Sequence, residues 1–161
     1  MSLNRGQKTL LLMFGITLAP ILAAQAFFHF WRPAMVKSYG ELIATPDAAP
    51  ANGYWRLVAA DPQGCTDNQK ALLFATRQMR LAQGQESHRI QRGSTVVCPA
   101  LDHDVAVLGN ANGLSAGGLY LIDPHGNLVM RYRPEQIGDN EGRKKAMAEI
   151  GKILKNNEAL G

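Results

Sequence analysis

The chain has 161 residues, a formal net charge of +4, 46% hydrophobic and 19% charged residues. That length suits one domain large enough to hold its own core, and the small, scattered excess of cations excludes a nucleic-acid footprint while fitting a mild attraction to anionic headgroups. Two cysteines are too few for a disulfide framework, so packing must stabilise the fold.

Residues 1–8, carrying Arg5 and Lys8, are expected to form a short cytoplasmic tail. From Thr9 to Trp31 there is no Lys, Arg, Asp or Glu. As a helix this stretch reaches about 34 Å, slightly more than the hydrocarbon core of a bilayer. Pro20, costly inside a soluble helix, is tolerated in membrane helices, and Phe27, Phe28, Phe30 and Trp31 stand where an interfacial aromatic belt lies. The segment predicts a single-pass anchor in the cytoplasmic (inner) membrane. A secretory signal cut after Ala26 shares the basic start and the Ala24-Gln25-Ala26 pattern. Arg5 and Lys8 before the segment nearly balance Arg32 and Lys37 after it, so orientation rests on the ease with which long domains are exported; the remainder is expected in the periplasm.

Residues 32–53 include the Pro/Ala-rich Ala44 to Asn52 and read as a linker. The domain is expected over 54–161. Tyr54 to Ala59 is aromatic and β-branched and ends in the turn chemistry of Asp61-Pro62-Gln63-Gly64, which predicts a strand. Asn68 to Gln83 is rich in helix formers, with Leu72, Ala75, Met79 and Ala82 on one face and Gly84 closing it. His88 to Gln91 and Val105 to Leu108 are short strand candidates, with His88 read as a solvated strand end. Gly118 to Ile122 and Leu128 to Tyr132, joined by Asp123-Pro124-His125-Gly126-Asn127, predict a hairpin. Asn140 to Asn156 reads as an amphipathic helix with Met147, Ile150 and Leu154 inward. This order implies a mixed sheet with helices on both faces, the order of a thioredoxin-type α/β fold. Cys65 falls between the first central strand and the first long helix, whose positive end favours a thiolate.

The anchor, the strand–Gly64-Cys65–helix junction and the hairpin sequence Leu119 to Asn127 resemble the Sco/SenC group of membrane-anchored thioredoxin-like proteins. That resemblance implies an accessory or assembly role for a respiratory (cytochrome) oxidase. Copper in that group is held by a C-x-x-x-C pair and a histidine shortly before the hairpin. Here Cys65 matches the first cysteine, Gln69 stands at the second, and 109–117 contains no histidine.

The leading expectation is therefore a non-enzymatic tethered domain that acts by binding, without metal or cofactor, with Cys65 lacking a second soft ligand. Gly64, Cys65, Asn112, Gly113 and Ser115 are its expected contact residues. The competing expectation is a copper metallochaperone or thiol–disulfide protein in which Cys65 works with Cys98 or His125. Whether Cys65 and Cys98 are two thiols or one disulfide depends on a Cα separation below about 7 Å. Asp102-His103-Asp104 reads as a polar surface turn, because sequence neighbours point apart in extended chain. Arg77, Arg80, Arg131 and Arg133 read as solvated cations.

Overall fold

The computed structural model describes residues 4–30, 37–99, 101–109 and 111–160, and the chain divides into two units, 1–37 and 38–161. In the first unit, α1 runs Arg5–Phe30 and contains an 18-residue window of mean hydropathy 2.0, long and apolar enough to cross a membrane. A signal sequence satisfies the same length and composition. The hydroxyls of Thr9 and Thr17 donate to carbonyls one turn back, Arg5 at 3.1 Å and Met13 at 3.1 Å, so both are satisfied within the helix, as hydrocarbon requires. Trp31 and Arg32 lie outside the described residues.

The second unit is built on one six-stranded mixed sheet. Its strands are β1 (Glu41–Thr45), β2 (Trp55–Ala60), β3 (Ile90–Ser94), β4 (Val105–Val107), β5 (Gly118–Ile122) and β6 (Leu128–Tyr132), in the spatial order β1-β6-β5-β2-β3-β4. β2 runs parallel to β3 through the crossover helix α2 (Asp67–Ala82), while β5 and β6 form the antiparallel hairpin. A short α3 (Pro134–Ile137) and then α4 (Asn140–Asn156) close the chain. The unit β2-α2-β3 followed by β5-β6-α4 on one sheet is a thioredoxin-like arrangement.

The sequence reading placed helices on both faces; the structure puts α2 and α4 on the same one. Leu72, Ala75 and Met79 of α2 and Ala146, Ile150 and Leu154 of α4 bury with Leu57, Ala59, Leu121 and Tyr132. Irregular chain covers the opposite face: Ala48, Ala49 and Leu114 pack on Val58, Tyr120, Ile122 and Leu128. Strand β2 is buried at every position because it is covered on both sides.

The expected linker 32–53 is corrected as well. Residues 41–45 pair with β6 as an edge strand, and the chain after them is tied to the hairpin turn by Ala49 N–H to the Gly126 carbonyl at 3.0 Å and Asn52 N–H to the Pro124 carbonyl at 3.2 Å. A side chain at Gly126 would lie 1.9 Å from the Ala49 carbonyl oxygen, and its φ of +99° also suits glycine. Small residues at 48 and 49 allow that approach, so the alanine richness that reads as flexibility is a packing device. His88 is solvated as expected but lies in a 3-10 helix over 84–89 and not in a strand, and beside it the buried Arg89 donates to the carbonyls of Leu154, Asn157 and Leu160 at 3.2, 2.7 and 2.9 Å. That cation satisfies the carboxyl end of α4.

Candidate functional site

Cys65 and Cys98 form a disulfide with a Cα separation of 5.5 Å, across 33 residues of sequence. This overturns the expectation that Cys65 stands without a second sulfur in reach. Cys65 is exposed and Cys98 is half-buried. The bridge joins the β2–α2 junction to the segment that follows β3, two places the parallel pairing of β2 and β3 brings to one end of the sheet.

Each side of the bridge has non-covalent anchors of its own. On the Cys65 side, Asp61 directly follows β2 and its carboxylate accepts from the Gln63 N–H at 3.0 Å, the Asn68 amide at 3.1 Å and the Thr66 hydroxyl. The Gly64 N–H bonds back to the Asp61 carbonyl at 3.0 Å, and a φ of +89° suits glycine at that corner. Thr66 then caps α2, accepting from the Gln69 N–H at 3.2 Å. Three donors, the Thr66 hydroxyl first, hold the Asp61 carboxyl below its ordinary range.

On the Cys98 side, Gln69 occupies the place where a C-x-x-x-C pair has its second cysteine. Its fully buried amide donates to the Ala59 carbonyl at 3.2 Å and to Ser94 Oγ at 2.9 Å, and Ser94 Oγ donates to the Val96 carbonyl at 2.6 Å. Gln69 thus ties α2 to the root of the Cys98 segment. Beyond Cys98, the buried Arg92 guanidinium donates to Asp102 and Asp104, both at 2.8 Å, as well as to Thr76 Oγ1 at 3.0 Å and the Leu73 carbonyl at 2.9 Å. Asp104 also receives Arg80 at 2.8 Å. The expected polar turn is present, and it brings the Asp102 and Asp104 carboxylates to one buried cation. Arg92 holds the Asp102 carboxyl below its usual range.

A groove of about 520 Å³ opens beside the disulfide, between α2 and the 98–105 segment, with Leu73, Phe74, Leu101 and Val105 on its walls. Cys65 Sγ lies 3.3 Å from the Val97 carbonyl oxygen. In the bonded form this is a contact without a proton.

No protein-family model matches the sequence, and no curated protein matches it. The chain is similar to Trgpx, known from a crystal structure in apo form, at 14% identity and a TM-score of 0.36, over 73% of this chain and 97% of that one. At that level the likeness carries no weight in reading the site.

Of the residues expected at the site, Gly64, Cys65 and Cys98 come together. His125 does not. The register Ala60↔Gly118 and Arg56↔Ile122 puts the hairpin turn at the other end of β2 from Cys65, roughly 15–20 Å away along the strand. Asn112 and Gly113 are also elsewhere: the Asn112 N–H donates to the Ala48 carbonyl at 2.8 Å, and Gly113 sits against Leu128 and Thr45. Exposed Ser115 precedes the return of the chain to Pro62 and Asn68 at Gly117. The four arginines form no common face, since Arg131 and Arg133 pair with Glu41 and Arg80 pairs with Asp104. Arg92, Asp61 and the role of Gln69 escaped the sequence reading. One signal was present: Arg92 follows Ile90 by two residues and so shares its buried strand face, where a cation requires a partner.

Proposed function

We propose that the second unit is a membrane-tethered thiol–disulfide exchange domain, with Cys65 and Cys98 as its redox pair. The observation that carries this reading is an exposed disulfide whose two flanks are separately anchored, by Asp61 and Thr66 on one side and by Gln69 and Arg92 on the other. A bridge that merely staples a fold is the main restraint on its loop. Here hydrogen bonds and ion pairs restrain both flanks as well, and restraints independent of the S–S bond are what reversible opening needs.

The chemistry is a balanced two-electron exchange. A substrate thiolate attacks Cys65 Sγ, the Cys65–Cys98 bond breaks, and Cys98 leaves as a thiolate that takes a proton from water. A second substrate thiolate then attacks the substrate sulfur of the mixed disulfide and releases Cys65. The substrate dithiol becomes a disulfide and the domain becomes a dithiol. Cys65 is the sulfur attacked because it is the exposed one and stands at the positive end of α2. A persistent disulfide also agrees with a location outside the cytoplasm, the side that export by α1 supplies. Copper delivery and an oxidase partner rest on the resemblance alone, and His125 lies too far from the cysteines to complete a copper site.

The trapping experiment is direct. Cys98→Ser leaves Cys65 as a free thiol without a resolving partner, so the full chain in detergent should accumulate a stable mixed disulfide with a disulfide-bonded peptide, whereas reduced wild type should resolve it and release both peptide thiols. A Cys65→Ser chain should form far less adduct. Equal, slow labelling of both variants would rule out a paired exchange mechanism.

A further inference from the structure

The disulfide stands at one end of a longer depression, and that depression has a chemical character of its own. Past the first groove the same cleft continues along α2 to Leu81, sharing Arg77, Leu101 and Asp102 between its two parts. From Lys70 to Leu81 the helix rises about 16 Å, the span of roughly five residues of extended chain. Its outer wall presents Phe74, 57% exposed, and Leu81, 66% exposed, large apolar side chains on a helix that could have carried polar residues there.

The charges along the cleft are committed with one exception. Lys70 pairs with Asp67, Arg80 with Asp104, and Arg92 with Asp102 and Asp104. Among the described residues Arg77 makes no hydrogen bond and no ion pair, and Asp102, the carboxylate that feels its field, already receives Arg92. Arg77 is exposed between Phe74 and Leu81, three turns from Cys65.

We infer that this cleft seats an extended segment of a substrate protein, with its cysteine at Cys65, an apolar side chain over Phe74 and Leu101, and an acidic side chain at Arg77. The inference rests on the exchange reading above and adds a substrate class to it: a cysteine followed by an apolar and then an acidic residue. An apolar wall ending in an unpaired cation complements that pattern and repels a basic one.

The test uses the oxidised full chain in detergent and three thiols: a peptide with Leu two residues and Glu four residues after its cysteine, the same peptide with Lys in place of Glu, and dithiothreitol. The Glu peptide should open the disulfide on the order of tenfold faster than the Lys peptide, the size expected of one exposed charge contact and its reversal. Arg77→Glu should reverse that order, and Phe74→Ser should slow both peptides. Dithiothreitol should act equally on all three chains. Equal peptide rates with rapid opening by dithiothreitol would overturn the cleft and leave the exchange reading intact. Resistance of the folded chain to dithiothreitol would instead strike the exchange reading itself. Protection of the cleft by anionic phosphatidylglycerol vesicles, with peptide preference absent, would assign this surface to lipid and also overturn the inference.

Discussion

Asp61 shows how one residue sets the geometry of the cysteine. Its carboxyl sits below the ordinary range in the folded state, so the stabilisation it gives is complete above the unfolded-state value near 4 and disappears as pH falls through the lower folded value. Asp61→Asn should cost about 1–2 kcal/mol at pH 7, and its denaturation midpoint should approach that of wild type as the pH is lowered through the folded-state value, a comparison that urea titrations over an acidic series provide. Gln69 behaves differently. Its amide makes two bonds while Oε1 is buried without a partner, so the bonds and the unmet carbonyl offset one another. Gln69→Met should therefore change stability by no more than about 1 kcal/mol, yet loosen the Cys98 segment, visible as faster amide exchange at Val96. The position of Cys65 was legible, because a strand, a Gly-containing turn and a capped helix are local signals. Its partner was not: closeness to Cys98 depends on the parallel pairing of β2 with β3, and no spacing rule reports that.

Among the elements, those carried by local pattern were readable. α4 matches its expected span at Asn140 and Asn156, and α2 and the hairpin strands match within a residue. β1 was hidden because its stability is borrowed from distant chain. Glu149 of α4 accepts from Ser38 Oγ and the Tyr39 N–H, both at 2.8 Å, from the Gly40 N–H at 2.9 Å and from the Tyr132 hydroxyl at 3.1 Å. Burial first, and then the Glu149 charge, push the Tyr132 phenol far above its ordinary range, so it remains a donor. Glu149→Gln turns an amide toward donors and should lower stability by about 2–3 kcal/mol, measured by urea denaturation, with β1 amides exchanging faster than those of β2. The clamp formed by Arg92 has the same non-local origin. Arg92→Met should lower stability by about 2–4 kcal/mol and make the disulfide easier to reduce, since the Cys98 segment loses its second anchor.

For the whole molecule, the boundary of the folded unit is itself a prediction. A fragment spanning 38–161 retains both hydrophobic clusters and the Glu149 clamp and should melt cooperatively. One spanning 54–161, the boundary suggested by composition, loses β1 and the cover formed by Ala48 and Ala49; it should melt at least 10 °C lower or aggregate through the bared edge of β6. Loop closure alone would make the Cys65–Cys98 bond worth about 3–4 kcal/mol, so its opening must leave a domain still stable enough to function. The decisive quantity is therefore the reduction potential of that bond in a glutathione redox buffer, followed by near-ultraviolet circular dichroism and thiol alkylation together. A midpoint between about −270 and −120 mV, with the dichroism of the reduced form unchanged, is the expected result. A midpoint below about −300 mV, or loss of tertiary structure in step with reduction, would identify a structural staple and contradict the exchange function.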